Sequence, residues 1–152
     1  MTKLHFNVII NAPKNKVYAL MLGMNSKSTY EHWVSVFNPT STYEGSWEKG
    51  SKILFIGIDE NGEKGGMVSR IAENIPNRFV SIQHYGLLNA GEEITEGPEV
   101  KKWANGFENY TFEEKDGVST VTIELDTEED FVDYMNENYP KALDKLKEMC
   151  EQ

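Results

Sequence analysis

The chain has 152 residues, with 25 acidic against 15 basic side chains and a formal net charge of −10. That length suits one domain, residues 1–152, with a core that needs no metal or cross-link, and the negative balance opposes nucleic-acid binding, which rests on lysine and arginine. A single cysteine, Cys150, excludes an internal disulfide framework and leaves no thiol pair for zinc or redox chemistry.

The opening residues hold no extended apolar region, and no run is long enough to cross a bilayer, so a soluble cytoplasmic protein without membrane insertion is expected. Leu4, Phe6, Val8 and Ile10 share one face of a first strand, with His5 and Asn7 on the other. Pro13 suits the first position of a short helix whose buried stripe is Val17, Leu20, Met21 and Met24. Ser28 with Glu31 three residues on reads as a capping box for a second helix through Trp33, Val34 and Phe37, ended by Pro39.

Strands are then predicted over about 40–45, 52–58, 65–75, 78–86, 106–114 and 118–126. Asn61-Gly62 and Asp116-Gly117 read as tight hairpin turns, because both pairs tolerate positive φ, and Ile75-Pro76-Asn77-Arg78 closes a third hairpin. A long acidic loop fills residues 88–100 and ends at Lys101-Lys102-Trp103. The last element is a long helix capped by Thr127, with Asp130 as acidic partner. Val132, Met135, Tyr139, Ala142, Leu143, Leu146, Met149 and Cys150 form its apolar stripe. Pro140 inside it lacks the N–H for the Asn136 carbonyl and predicts a kink with a cavity beneath. This order predicts an α+β fold, a curved antiparallel sheet of about six or seven strands with the helices gathered on one side.

Few residues offer chemistry. His5, His32 and His84 lack metal-ligand spacing, so no metal is expected; His5 and His32 read as surface. Glu108 alternates with Tyr110 and Phe112, which aims its carboxylate into the concavity if those aromatics face inward; at the open end it would be solvated or paired with Lys101 or Lys102. Trp33, Phe37, Trp47, Phe55, Trp103, Tyr110 and Tyr139 supply apolar area suited to a lined pocket or to a filled core. Gly65-Gly66 does not lead into a helix and is no phosphate cradle, there is no Gly-x-Ser-x-Gly elbow, and Asn109-Tyr110-Thr111 is a chance glycosylation match.

Several segments carry a family resemblance: Asn11-Ala12-Pro13 with Val17-Tyr18, Trp33 to Phe37, Gly45-Ser46-Trp47-Glu48-Lys49-Gly50-Ser51, Gly66-Met67-Val68-Ser69-Arg70-Ile71, Asn74-Ile75-Pro76-Asn77-Arg78-Phe79-Val80, Trp103, Glu108-Asn109-Tyr110-Thr111-Phe112 and Tyr139-Pro140-Lys141-Ala142-Leu143. In order and spacing they resemble the START-like (SRPBCC, birch-pollen-allergen-like) superfamily, in particular its chaperone ATPase activator homologue branch. The resemblance implies a helix-grip fold, with the sheet wrapped around the long C-terminal helix. It further implies a cavity for a small apolar or aromatic molecule and no cofactor. The ligand-binding candidates are then Trp33, Phe37, Phe55, Met67, His84, Trp103, Glu108, Tyr110, Met135 and Tyr139. A binding protein without catalysis is the leading expectation. A cyclase or dehydratase using Glu108, His84 and Tyr110 is the alternative, and a chaperone-associated protein partner is the third reading.

Overall fold

The computed structural model describes residues 1–102 and 104–152; Trp103, named among the binding candidates, lies outside the described residues. The elements are β1 (Thr2–Ile10), α1 (Lys14–Leu22), α2 (Lys27–Val34), β2 (Thr42–Gly45), β3 (Lys52–Ile58), β4 (Lys64–Ile75), β5 (Phe79–Asn89), β6 (Glu92–Ile94), α3 (Pro98–Lys101), β7 (Gly106–Lys115), β8 (Val118–Thr127) and α4 (Val132–Cys150). One antiparallel sheet has the order β1-β8-β7-β5-β4-β3-β2, with β6 added to the end of β5. With α4 packed against its β1 side, this is the helix-grip architecture.

Alternation decides which side chains enter the concave face. On β7 Tyr110 and Phe112 are buried, on β8 Val121, Ile123 and Leu125, and on β1 Val8 and Ile10, all in one core cluster. The α4 stripe of Tyr139, Ala142, Leu143, Leu146 and Cys150 closes this cluster. Each leucine buried in this way contributes about 1.5–3 kcal/mol, so α4 is held by packing and not by helix propensity alone. Tyr139 stacks on Phe6 with ring centroids 4.9 Å apart, pinning the middle of α4 to β1.

Helix α4 is continuous through Pro140, whose ring lies on the exposed face. Its start differs from expectation. Thr127 is the last residue of β8, paired with Thr2, and a 3-10 turn over Glu129–Phe131 precedes Val132 with no side-chain cap. The full length of β1 extends the ladder and keeps Thr127 in it. At α2 the cap is Ser26, whose hydroxyl accepts from the Ser28 N–H, so the Ser28 to Glu31 capping box is not used.

The Asp116-Gly117 turn has φ of 53° and 81° and joins the paired Lys115 and Val118 directly, a two-residue hairpin of the expected kind. Asn61-Gly62 instead sits in a five-residue connection, since Ile58 pairs with Lys64. The Asp59 carboxylate organises that loop by accepting from the Asn61 and Glu63 N–H groups. In the hairpin at 75–78, Arg78 N–H donates to the Ile75 carbonyl and Asn77 takes φ of 65°. The acidic stretch 88–100 is also more ordered than a loop, because it contains β6 and the start of α3. Gly86 permits this: a Cβ there would lie 2.9 Å from Val68 Cβ and 3.0 Å from Thr95 Cγ2.

Candidate functional site

Between the concave sheet and the helices α2 and α4 lies a cavity of about 520 Å³. Helix α2 supplies Tyr30, Trp33 and Val34, followed by Phe37; β3 supplies Phe55 and β4 Met67; β5 supplies His84 and Leu87; β7 supplies Glu108 and Tyr110; and α4 supplies Met135 and Tyr139. The structure thus places Trp33, Phe37, Phe55, Met67, His84, Glu108, Tyr110, Met135 and Tyr139 around one space. Tyr30, Leu87, Leu125, Thr127 and Phe131 also line it, beyond the residues that the sequence pattern singles out. Tyr30 lies one helical turn before Trp33, on the same face of α2, a signal present in the sequence. Several rings contact one another, including Trp33 on Tyr139 and Tyr110 at 6.4 and 6.2 Å and Phe37 on Tyr139 at 5.4 Å.

A polar chain crosses this apolar wall. Val68 pairs with Gly86 but Ser69 pairs with His84, so Tyr85 is the extra residue of a β-bulge. The bulge sets Ser69 directly opposite His84, with Oγ 2.6 Å from Nδ1. The other ring nitrogen, Nε2, lies 3.1 Å from Glu108 Oε1. Because an ionised carboxylate only accepts, Nε2 carries the proton of this bond, and in the neutral ring Nδ1 accepts from the Ser69 hydroxyl. The Tyr139 hydroxyl donates to Glu108 Oε2, and the Tyr110 hydroxyl lies 3.4 Å from the same oxygen.

Glu108 is therefore bound to His84, Tyr139 and Tyr110, and not to Lys101 or Lys102. Burial pushes its carboxyl upward, but the hydrogen bond and charge of His84, with the two phenol hydroxyls, outweigh burial and hold it below the usual carboxylate range. Burial first, and the Glu108 charge second, push the Tyr110 and Tyr139 phenols well above their ordinary value and keep them as donors.

The Ser69, His84 and Glu108 sequence is not a nucleophile array. Ser69 is fully buried behind the ring and does not line the cavity, so its oxygen has no path to a substrate. It orients the imidazole, while the carboxylate and phenols form the end that faces the cavity. Asp59, Asp126 and Glu128 are also among the lining residues, Asp126 with its carboxylate on the outer face of β8 against Lys3 and the Phe107 N–H, and among the described lining residues there is no lysine or arginine. Among the described residues no group of three His, Cys, Asp or Glu side chains is placed to hold a metal ion, and no helix is long and apolar enough to cross a membrane. His5 and His32 are exposed and far from this arrangement in role; neither lines the cavity.

No protein-family profile and no curated protein matches the chain. Solved structures do resemble it. The Aha1 dimer from Colwellia psychrerythraea is 21% identical and superposes with a TM-score of 0.67 over 99% of this chain and 97% of its own. Protein MLL2253 from Mesorhizobium loti is 12% identical, with a TM-score of 0.69 over 97% of this chain and 95% of its own. Protein Ms6760 from Mycobacterium smegmatis is 14% identical, with a TM-score of 0.69 over 97% and 89%. At these identities the likeness carries the fold alone, and the chain shares with these proteins the helix-grip architecture.

Proposed function

We propose that residues 1–152 act as one domain that binds a small, largely apolar molecule in the cavity, anchored by the Glu108 cluster. The observation that carries this reading is a space of about 520 Å³ walled by aromatic side chains and interrupted by one organised group of polar atoms. Such a volume lies within the range of about 300–1,000 Å³ common for small-molecule sites, and few convergent polar groups in an apolar wall are what orient a ligand. A ligand that binds only the folded state raises the melting temperature. Thermal-shift screening with lipids, polyketides, aromatic acids and aromatic amines tests the proposal; no stabilisation by any class would count against it.

Proton-transfer chemistry is the second reading, favoured by the convergence of His84, Glu108 and Tyr110 on one space. A general base works best with a pKa near the working pH, whereas Glu108 is held below the ordinary carboxylate range. That difference supports binding over catalysis. Turnover of a bound candidate ligand, abolished by Glu108→Gln with binding retained, would reverse the preference.

A further inference from the structure

We infer that the cavity selects an organic cation, an amine or quaternary ammonium carried on an apolar or aromatic body, over a carboxylic acid of the same shape. The inference rests on the cavity-binding reading and deepens it. The first observation is the sign of the lining. Asp59, Glu108, Asp126 and Glu128 line the space and no described lysine or arginine does. Asp126 lies between the inward Leu125 and Thr127 of β8 and turns its carboxylate to the outer face, where it accepts from the Phe107 N–H, so the negative charge presented to the space rests on Glu108, with Asp59 and Glu128 beside it. His84 lies against Glu108, Lys3 lies 3.0 Å from Asp126, and Lys102 lies 4.0 Å from Glu128 at the limit of an ion pair. Lys3 and Lys102 approach from the solvent side, with side chains 47% and 71% exposed, so water screens their share more strongly than that of a group inside. The positive end of the α4 dipole follows the lining residues Glu128 and Phe131, and it is met by Glu128, Glu129, Asp130 and Asp133.

The second observation is what stands beside the carboxylate. Glu108 Oε2 is held by Tyr139 and Tyr110, and both rings adjoin Trp33. A cation is attracted by the faces of such rings as well as by the carboxylate, and the attraction grows when water is excluded. A carboxylate in the same position would meet aromatic faces and an ionised Glu108, both unfavourable. The apolar body of the ligand would lie against Phe37, Phe55 and Met135.

Isothermal titration of the full chain at neutral pH with phenylbutylamine, phenylbutyltrimethylammonium, phenylbutanol and phenylbutyrate separates the two levels of the argument. The expected order is both cations at least about tenfold tighter than the alcohol, and the acid weakest. Glu108→Gln keeps the volume and one acceptor and is expected to shrink the ratio of amine to acid about tenfold; Asp59→Asn, at the rim, shrinks it by about threefold. Should Glu108→Gln fail to fold, the order on the unaltered chain still decides. Equal binding of amine, alcohol and acid, or a preference for the acid, overturns cation selectivity and leaves the cavity reading intact. Binding of none of the four overturns cation selectivity, and the cavity reading then stands or falls with the thermal-shift screen.

Discussion

Replacing Tyr139 with Phe tests the centre of the polar cluster with the least disturbance of packing. The ring is 2% exposed and stacked on Phe6, and Phe retains that stack and nearly all the buried area. What is lost is one hydroxyl donating to Glu108 Oε2. A hydrogen bond to a charged group contributes about 1.5–3 kcal/mol, which for a chain of this size corresponds to a melting temperature lower by about 3–12 °C. The pH dependence has a defined sign. The folded carboxyl of Glu108 is held below its ordinary value of 4.5, so its contribution is complete above that value and is lost as pH falls through the lower folded value. Without the Tyr139 hydroxyl the folded value moves back up towards 4.5, so the gap between variant and wild type is full near neutrality and narrows in acid. Urea denaturation of both proteins at several pH values from about 7 down to about 3 measures this. A variant within about 0.5 kcal/mol of wild type near neutral pH, or a gap that does not change with pH, would refute a charge-assisted bond at this position.

Other consequences follow from single sites. Gly66 has φ of 139°, and a Cβ there would lie 1.8 Å from the Phe55 carbonyl oxygen, so Gly66→Ala should cost about 3 kcal/mol or more by urea denaturation; a near-neutral result would mean that β3 and β4 pair differently at the cavity wall. Burial pushes the Cys150 thiol up to about 11, so a disulfide reagent at mildly alkaline pH should label it slowly in the folded protein and rapidly in urea, and rapid labelling of the folded chain would show that α4 is not docked. Pro140 lies on the exposed face of a helix that already continues through it, and proline costs about 3 kcal/mol relative to alanine in a helix interior. Pro140→Ala should therefore stabilise the fold by about 1–3 kcal/mol and, by shifting Met135 and Tyr139, change the affinity of a cavity ligand. No gain in the urea midpoint would show that the Asn136 carbonyl is already satisfied.

Local chemistry made part of this protein legible in its sequence. The alternation of Glu108, Tyr110 and Phe112 assigns all three to one face, because successive strand side chains point to opposite sides wherever the strand lies. The spacing of Tyr139, Ala142, Leu143 and Leu146 assigns them to one helix face for a similar reason, and Asp116-Gly117 turns the chain with the φ angles those residues tolerate. Helix and strand ends were less legible. Ser26 and Ser28 are chemically equivalent caps, and Thr127 stays in β8 because Thr2, at the far end of the chain, pairs with it. The partners of Glu108 belonged to tertiary structure altogether. His84 reaches it across the pairing of β5 with β7, Tyr139 descends from α4, and Ser69 meets His84 only because a bulge adds Tyr85 to β5 and resets the register. Lys101 and Lys102 are close to Glu108 in sequence, yet its hydrogen bonds go to groups that folding brings together, since a buried carboxylate is stabilised by the donors around it in space and not by its neighbours along the chain.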